Sequence, residues 1–355
     1  MTPELVLKVN GVKYSGWKSI QLTRSMEQLA HSFQMGLTDK WADMGKRVPV
    51  AAGDSCWLVY GDAGTVVTNG WIDEDTLDYD AEQRGLGFSG RSLTGDLVDC
   101  AAVFKGGQWK KATLLQIATD ICAPFAITVQ AATDVGAPFP LFKLEPGEKC
   151  FQALERAARM RGVLMMTLGD GSLVFERTGQ QKVTTVLEHG KNIKRGSFKR
   201  SWVDRFSTYV VFMQSSAGGA GGDGYFAKSL AMKRHSDDAH VSRYRPTIIN
   251  AETEDDGSEL QKRADWERNV RAGRSVRLTY TVQGWEHAAG LWEPNRLVRV
   301  IDPQIPIDDE LLIVTTTQKR DEQGSTTELQ LAQKDAFTVE PLPPKKQKKG
   351  ALDYV

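Results

Sequence analysis

Over the first quarter of the chain, apolar residues alternate with polar ones in runs of only a few residues, and a turn signal ends each run. Leu5, Leu7 and Val9 alternate up to Asn10-Gly11, a dipeptide whose residues tolerate the positive φ angles of a type I′ hairpin turn. Ile20 and Leu22 follow, then Phe33, Met35 and Leu37. Cys56–Tyr60 and Thr65–Val67 flank the turn Gly61-Asp62-Ala63-Gly64, and Leu86 and Phe88 close the series before Arg91. A strand with a side-chain period of two shows one face to a core, so many such strands in about 90 residues must fold over one another as a small barrel or sandwich.

The texture changes at Asp96. From Thr113, Leu114, Ile117, Ala118 and Ile121 recur at three- and four-residue steps, predicting a helix capped by the Thr113 hydroxyl. Pro124 ends it at about Cys122 or Ala123, and Phe125–Val129 reads as a short strand packed beneath it. A second helix carries Phe151, Leu154 and Ala158 on one face, with Glu155 and Arg159 as an i,i+4 pair and Gly162 at its end. Val163–Leu168 and Leu173–Phe175 then pair across Gly169-Asp170-Gly171. Beyond this α+β module, Arg205–Phe212 reads as a buried strand and Ser215–Tyr225 (SSAGGAGGDGY) as a mobile loop. A charged helix follows over Ser258–Ala272, with pairs Glu259/Arg263 and Glu267/Arg271 and Gly273 closing it. Val276–Val282, Arg296–Ile301, Leu311–Thr317 and Thr326–Leu331 restore the strand texture.

The expected fold is mainly β with an α+β part. A first barrel (1–95) and a second, split barrel (181–214 and 275–340) bracket the α+β module (96–180), with a loop and helix insertion (215–274) and a flexible basic tail (341–355). At 355 residues the chain exceeds what one core usually sustains, which fits two to four units. Forty-five Lys and Arg balance 45 Asp and Glu, which removes the global electrostatic case for a nucleic-acid or membrane-surface binder. The N-terminus has no basic segment before a long apolar run, and no stretch of about 18 apolar residues occurs, so folding in a cytoplasm is expected.

The chemistry-bearing residues form no site. Cys56, Cys100, Cys122 and Cys150 lie far apart without a C-x-x-C pair. His31, His189, His235, His240 and His287 match no metal or nucleophile template, and His235 and His240, with Asp237 and Asp238 between them, come nearest to a metal cluster. The acidic runs Asp73–Asp75, Glu254–Asp256 and Asp308–Glu310 lack the alternation of a calcium loop. No catalytic residue, metal site or cofactor is therefore expected. Nine tryptophans remain. Trp17, Trp57 and Trp71 fall at strand positions of the first barrel, while Trp285 and Trp292 flank a turn in the second and are the candidate interface residues.

Two resemblances add to this reading. TLLQIATDICAPFAITV (Thr113–Val129) is similar to the start of a peptidoglycan-binding LysM module, a likeness that stops at Ala131–Pro140, where the second helix is missing. VNGVKYSGWKSIQLTRSME (Val9–Glu27), DLVDCAAVFKGGQWKKATLLQIATDICAPF (Asp96–Phe125), ALERAARMRGVLMMT (Ala153–Thr167), DRFSTYVV (Asp204–Val211), SRYRP (Ser242–Pro246) and LWEPNRLVRV (Leu291–Val300) resemble the baseplate hub proteins of Mu-like contractile-tailed phages. The resemblance implies a homotrimer of two tube-like barrels per chain, similar in fold to the hub half of type VI secretion spike proteins. Such a ring joins the tail tube above to the central spike below, and DNA is only passing cargo. It implies assembly in the host cytoplasm, residence in the virion baseplate, no stable membrane association and no enzymatic residues. Two alternatives stay open: the hub of a non-phage contractile injection system, and a tail-associated murein hydrolase.

Overall fold

The computed structural model describes residues 4–38, 50–79, 84–212, 233–250 and 258–339. The expected glycine loop (Ser215–Tyr225), the acidic run Glu254–Asp256 and the basic tail lie outside the described residues.

Strands β1 (Leu5–Val9), β2 (Val12–Tyr14), β3 (Ser19–Ser25), β4 (Ser32–Thr38), β5 (Ser55–Tyr60), β6 (Thr65–Tyr79) and β7 (Arg84–Ser92) make the first unit. As the sequence predicts, Asn10 and Gly11 both take positive φ, and Val9 pairs with Val12 across a two-residue turn. Leu5, Leu7, Ile20, Leu22, Phe33, Met35, Leu58 and Phe88 fill its core, because the alternating pattern sends every second side chain inward.

The middle module contains α1 (Gly95–Asp99), β8 (Gln108–Ala112), α2 (Leu114–Cys122), β9 (Val129–Ala131), β10 (Phe139–Lys143), α3 (Cys150–Arg159), β11 (Leu164–Thr167) and β12 (Leu173–Glu176). Thr113 caps α2 by accepting from the Gln116 amide at 3.2 Å. The apolar faces of α2 and α3 share one core with Phe139, Phe142, Leu173 and Phe175. The strand expected at Phe125–Val129 starts only at Val129. Pro124 instead opens a short 3₁₀ turn over Ala123–Phe125, which ends where Ala126 takes a left-handed φ of 54°.

Strands β13 (Gln181–Lys182), β14 (Leu187–Glu188), β15 (Ile193–Arg200), β16 (Thr208–Phe212), β17 (Lys233–Asp237) and β18 (Pro246–Asn250) lead to α4 (Ser258–Arg274) and β19 (Val276–Gln283). The short hairpin β20 (Glu286–His287) and β21 (Gly290–Leu291) precedes β22 (Arg296–Asp302), β23 (Ile307–Asp321) and β24 (Gly324–Ala332). A second core gathers Leu278, Tyr280, Val298, Val300, Leu311, Ile313, Leu329 and Leu331. Two expectations are corrected. Strand β16 is not part of the second strand unit but the centre of a separate sheet, β17-β16-β18, against which α4 packs through Leu260 and Ala264. Gly273 does not cap α4 but lies inside it, where a Cβ would come within 2.7 Å of the Ala336 amide, so it is there for close packing.

The protein is mainly β, as the sequence predicts, and the two strand units are one hydrogen-bonded sheet. Its order is β15-β19-β24-β23-β3-β4-β7-β6-β5-β1-β2, with β13, β14 and β22 branching at β23. No ladder among the described residues joins β15 to β2, so the path has two ends.

Candidate functional site: a buried seam between two strand units

Strand β23 belongs to both units. Leu311 and Ile313 lie in the second core, and Thr315–Arg320 pair with β3 of the first. Residues Leu311–Gln318 are buried without a break, because Leu312 and Val314 face a further small core with Ala332, Ala336 and Phe337. Ser25 and Thr315 share a hydroxyl hydrogen bond of 2.7 Å across the seam, and the Met26 amide donates to the Val314 carbonyl at 2.9 Å.

Arg24 lies at the centre of this seam. It shares parity with Ile20 and Leu22 and is buried with them. Its Nη2 donates to the Trp292 carbonyl at 2.7 Å, and Nη1 lies 3.7 Å from Glu293 Oε1. Burial presses the guanidinium below its usual pKa, while Glu293 opposes that effect. The Gln318 amide, also buried, donates to the same Trp292 carbonyl at 3.0 Å. One backbone oxygen of the second unit is thus held by a side chain from β3 and another from β23.

The candidate residues Trp285 and Trp292 bracket the β20–β21 hairpin, and the structure covers both within one chain, at 3% and 2% exposure. The Trp285 ring stacks on Tyr60 of β5 with centroids 5.2 Å apart, joins the first unit's core, and donates from Nε1 to the Lys319 carbonyl at 2.9 Å. Trp292 packs in the second core, 4.8 Å from the His287 ring. Trp285 thus bridges the two strand units of one chain, while the Trp292 ring stays inside the second unit. Trp17 is buried against Phe88 just outside a strand, Trp57 on β5 is exposed, and Trp71 on β6 is half-buried.

A second lock ties the first unit to the middle module. Ser92 Oγ, Thr94 Oγ1 and Thr167 Oγ1 are linked by two hydrogen bonds of 2.8 Å, and Thr167 Oγ1 donates to the Leu29 carbonyl at 2.6 Å. The His31 amide donates to Ser92 Oγ at 3.0 Å. The His31 ring is buried here, and burial followed by the nearby Arg24 charge lowers its pKa to about 3, so it is neutral.

The other candidates are not brought together. Asp238 takes two hydrogen bonds from Arg205 at 2.6 and 3.1 Å and lies 3.3 Å from His240. Burial alone would raise its pKa, but these partners hold it below the usual carboxylate range. His235 is exposed and faces Asp237 at 3.9 Å. Asp73 pairs with Arg91, and Asp308 with Arg299. Among the described residues no three His, Cys, Asp or Glu side chains form a metal cluster. The four cysteines carry no disulfide, and only Cys100 is exposed. Sequence reasoning missed Arg24 and Gln318. The parity of Ile20, Leu22 and Arg24 carried the signal for the first, while Gln318 follows a threonine run with no apolar phase to assign it a face.

Three family models match in chain order. The N-terminal domain of Mu phage baseplate assembly protein GpP-like proteins matches residues 4–92. The second domain of baseplate hub protein gp44-like proteins matches 94–177, and the fourth domain of Mu phage baseplate assembly protein GpP matches 257–340. The chain is 36% identical to baseplate hub protein gp44 of Escherichia phage Mu over 99% of its own length and 93% of that protein's. Among solved structures it resembles the 43 kDa tail protein of prophage MuSo2 from Shewanella oneidensis, with TM-score 0.84 at 34% identity, covering 95% of this chain and all of that one. It also resembles the tail protein from Neisseria meningitidis MC58, with TM-score 0.81 at 25% identity, covering 96% of this chain and 99% of that one.

Proposed function

Because this chain belongs to the family of Mu-like phage baseplate hub proteins, we propose that it forms a homotrimeric ring joining the tail tube to the central spike around a channel for the genome. It is a baseplate hub of a Mu-like phage tail and so a virion tail component. The finer reading rests on one observation above all: each chain holds two strand units with separate cores fused by β23, so three copies supply six. Such a ring can meet a sixfold tube on one side and a threefold spike on the other. The order of the matched models, 4–92, 94–177 and 257–340, supports a division into first strand unit, α+β module and second strand unit.

The chain acts by assembly rather than catalysis and folds in the host cytoplasm before entering the baseplate. Its partners are tube proteins, a spike protein and copies of itself, with DNA as passing cargo. The murein-hydrolase alternative draws on the LysM-like segment, whose apolar face, Leu114, Ile117, Ala118 and Ile121, is spent on the module's own core. Size-exclusion chromatography with light scattering tests the ring: the expected result is three times the chain mass at micromolar concentration. A stable monomer, with tails assembling normally when the chain is mutated, overturns it.

A further inference from the structure

Besides the terminal strand β2, two stretches at the margin of the continuous sheet carry opposite charge. At one end is β15, IKRGSFKR, which pairs only with β19 among the described residues. Every residue from Lys194 to Arg200 is exposed. The strand holds four cations, Lys194, Arg195, Lys199 and Arg200, and no anion. Phe198 stands opposite the buried core residue Leu278 yet is 39% exposed, so an aromatic ring stands uncovered at this edge. Lys199 faces Arg277 across the ladder, a like-charge pair in which Arg277 is already engaged by Glu27.

The acidic stretch lies on β6, inside the strand path. The strand's first half is flanked by β5, but that pairing ends at Trp71, and among the described residues β6 from Glu74 to Tyr79 pairs only with β7. This half carries Asp73, Glu74, Asp75 and Asp78 and no cation; Asp73 is engaged by Arg91, and Asp75 accepts from the Ala52 amide. Glu74, Asp78 and Tyr79 are exposed, Tyr79 by 78%.

We propose that the basic edge β15 of one copy docks against the acidic edge Glu74–Tyr79 of the next, continuing the sheet from chain to chain. The occupant of each edge is therefore a second copy of this chain. Charge on an edge strand commonly serves only to block stray pairing, and either sign on either edge would do that. Segregation by sign does more. Pairing β15 with β15, or β6 with β6, sets like charges face to face, which disfavours two-fold dimers. The unlike pairing left over is head-to-tail, and a head-to-tail contact generates a ring when its rotation closes. The small sheet β17-β16-β18 also has free edges, but β17 mixes Lys233 and Arg234 with Asp237, so it offers no such sorting. The inference rests on the ring proposed above and supplies its contact.

The test uses the full chain and four side chains that lie outside the cores. The variant Arg195→Glu/Lys199→Glu takes β15 from four cations to two charges of each sign, and Glu74→Lys/Asp78→Lys does the same to the four anions of the β6 stretch. Each is expected to weaken self-association at least tenfold by light scattering, and wild-type association is expected to weaken as salt rises from 0.05 to 0.5 M by about the same factor. An equimolar mixture of the two variants restores one contact between an unaltered basic β15 and an unaltered acidic β6 per pair of unlike chains, and is expected to associate where neither variant does alone, a gain that a merely misfolded variant cannot show. Circular dichroism and urea midpoints confirm that each variant is folded. If the two variants each assemble like wild type, or their mixture associates no better than either alone, the edges are not the contact although the ring stands. A monomeric wild-type chain overturns both.

Discussion

Replacing Trp285 tests whether the two strand units are held as one body. A tryptophan side chain buries up to about 250 Å² on folding, and 97% of Trp285 is covered, given its 3% exposure. At about 25 cal/mol per Å² that is about 6 kcal/mol, and allowance for a compact unfolded chain lowers it to about 4. This falls within the range measured when large aromatic side chains are truncated in cores. Trp285→Ala should therefore cost about 4 kcal/mol in urea unfolding followed by far-ultraviolet circular dichroism. Trp285→Phe keeps a ring over Tyr60 but leaves the Lys319 carbonyl without its donor, at a cost of about 1 to 2 kcal/mol. Combining Trp285→Ala with Tyr60→Leu should show a coupling of about 1 kcal/mol, the surplus of a stacked pair over the two burials taken singly. Hydrogen exchange should quicken in β5 and β6, although the altered residue is more than 200 positions downstream, because Trp285 fills the first unit's core. A loss below about 1 kcal/mol for Trp285→Ala, or no coupling with Tyr60, would refute the reasoning, since the hairpin would then only rest on the first unit.

Two further perturbations follow from the same geometry. His31 is neutral when folded, with a pKa of about 3 against 6.5 in an unfolded chain, so unfolding takes up a proton in between. Its stabilising contribution is complete above pH 6.5 and is lost as pH falls toward 3, by up to about 5 kcal/mol. His31→Gln should flatten the stability profile between pH 6 and 4, and an unchanged slope there counts against a buried neutral ring. At Gly90 a Cβ would lie 2.1 Å from the Trp71 carbonyl oxygen and 2.6 Å from Phe33 Cζ. Gly90→Ala should cost about 2 kcal/mol or more in urea unfolding, whereas Gly85→Ala, with open space around its Cβ, should cost under about 0.5 kcal/mol.

Local rules in the sequence reached the elements and their caps, because those depend on a few neighbouring residues. The Asn10-Gly11 hairpin, the Thr113 cap, the inward faces of α2 and α3 and the strands of both units were legible for that reason. The partners of a strand were less so. RFSTYVVF reads as a buried strand whichever sheet receives it, and β16 joins the insertion because β17 and β18, distant in sequence, flank it. Gly273 likewise resembles a helix end until Ala336 is brought against it. Trp285 and Trp292 were legible as a pair around a turn, but sequence carries no mark that distinguishes a contact between units of one chain from one between chains.

The form of the seam bears on how such a chain can serve as a connector. Units joined by a linker keep their own surfaces and move relative to each other by default. Here β23 passes from one core into the pairing with β3 without leaving buried surroundings, so a rotation between the units has to break ladder hydrogen bonds rather than swing a loop. The buried Arg24 makes sliding costly as well. A shift of β3 along β23 by one residue would turn Ile20, Leu22 and Arg24 to the opposite face and break the guanidinium's contacts with the Trp292 carbonyl and Glu293. An apolar residue at position 24 could pack as well, or more stably, but would make no directional bond to the second unit. The charge is therefore better explained by register than by stability. A fixed register between the units also fixes the angle between the free edges β15 and β6, which is the quantity that decides whether head-to-tail copies close after three.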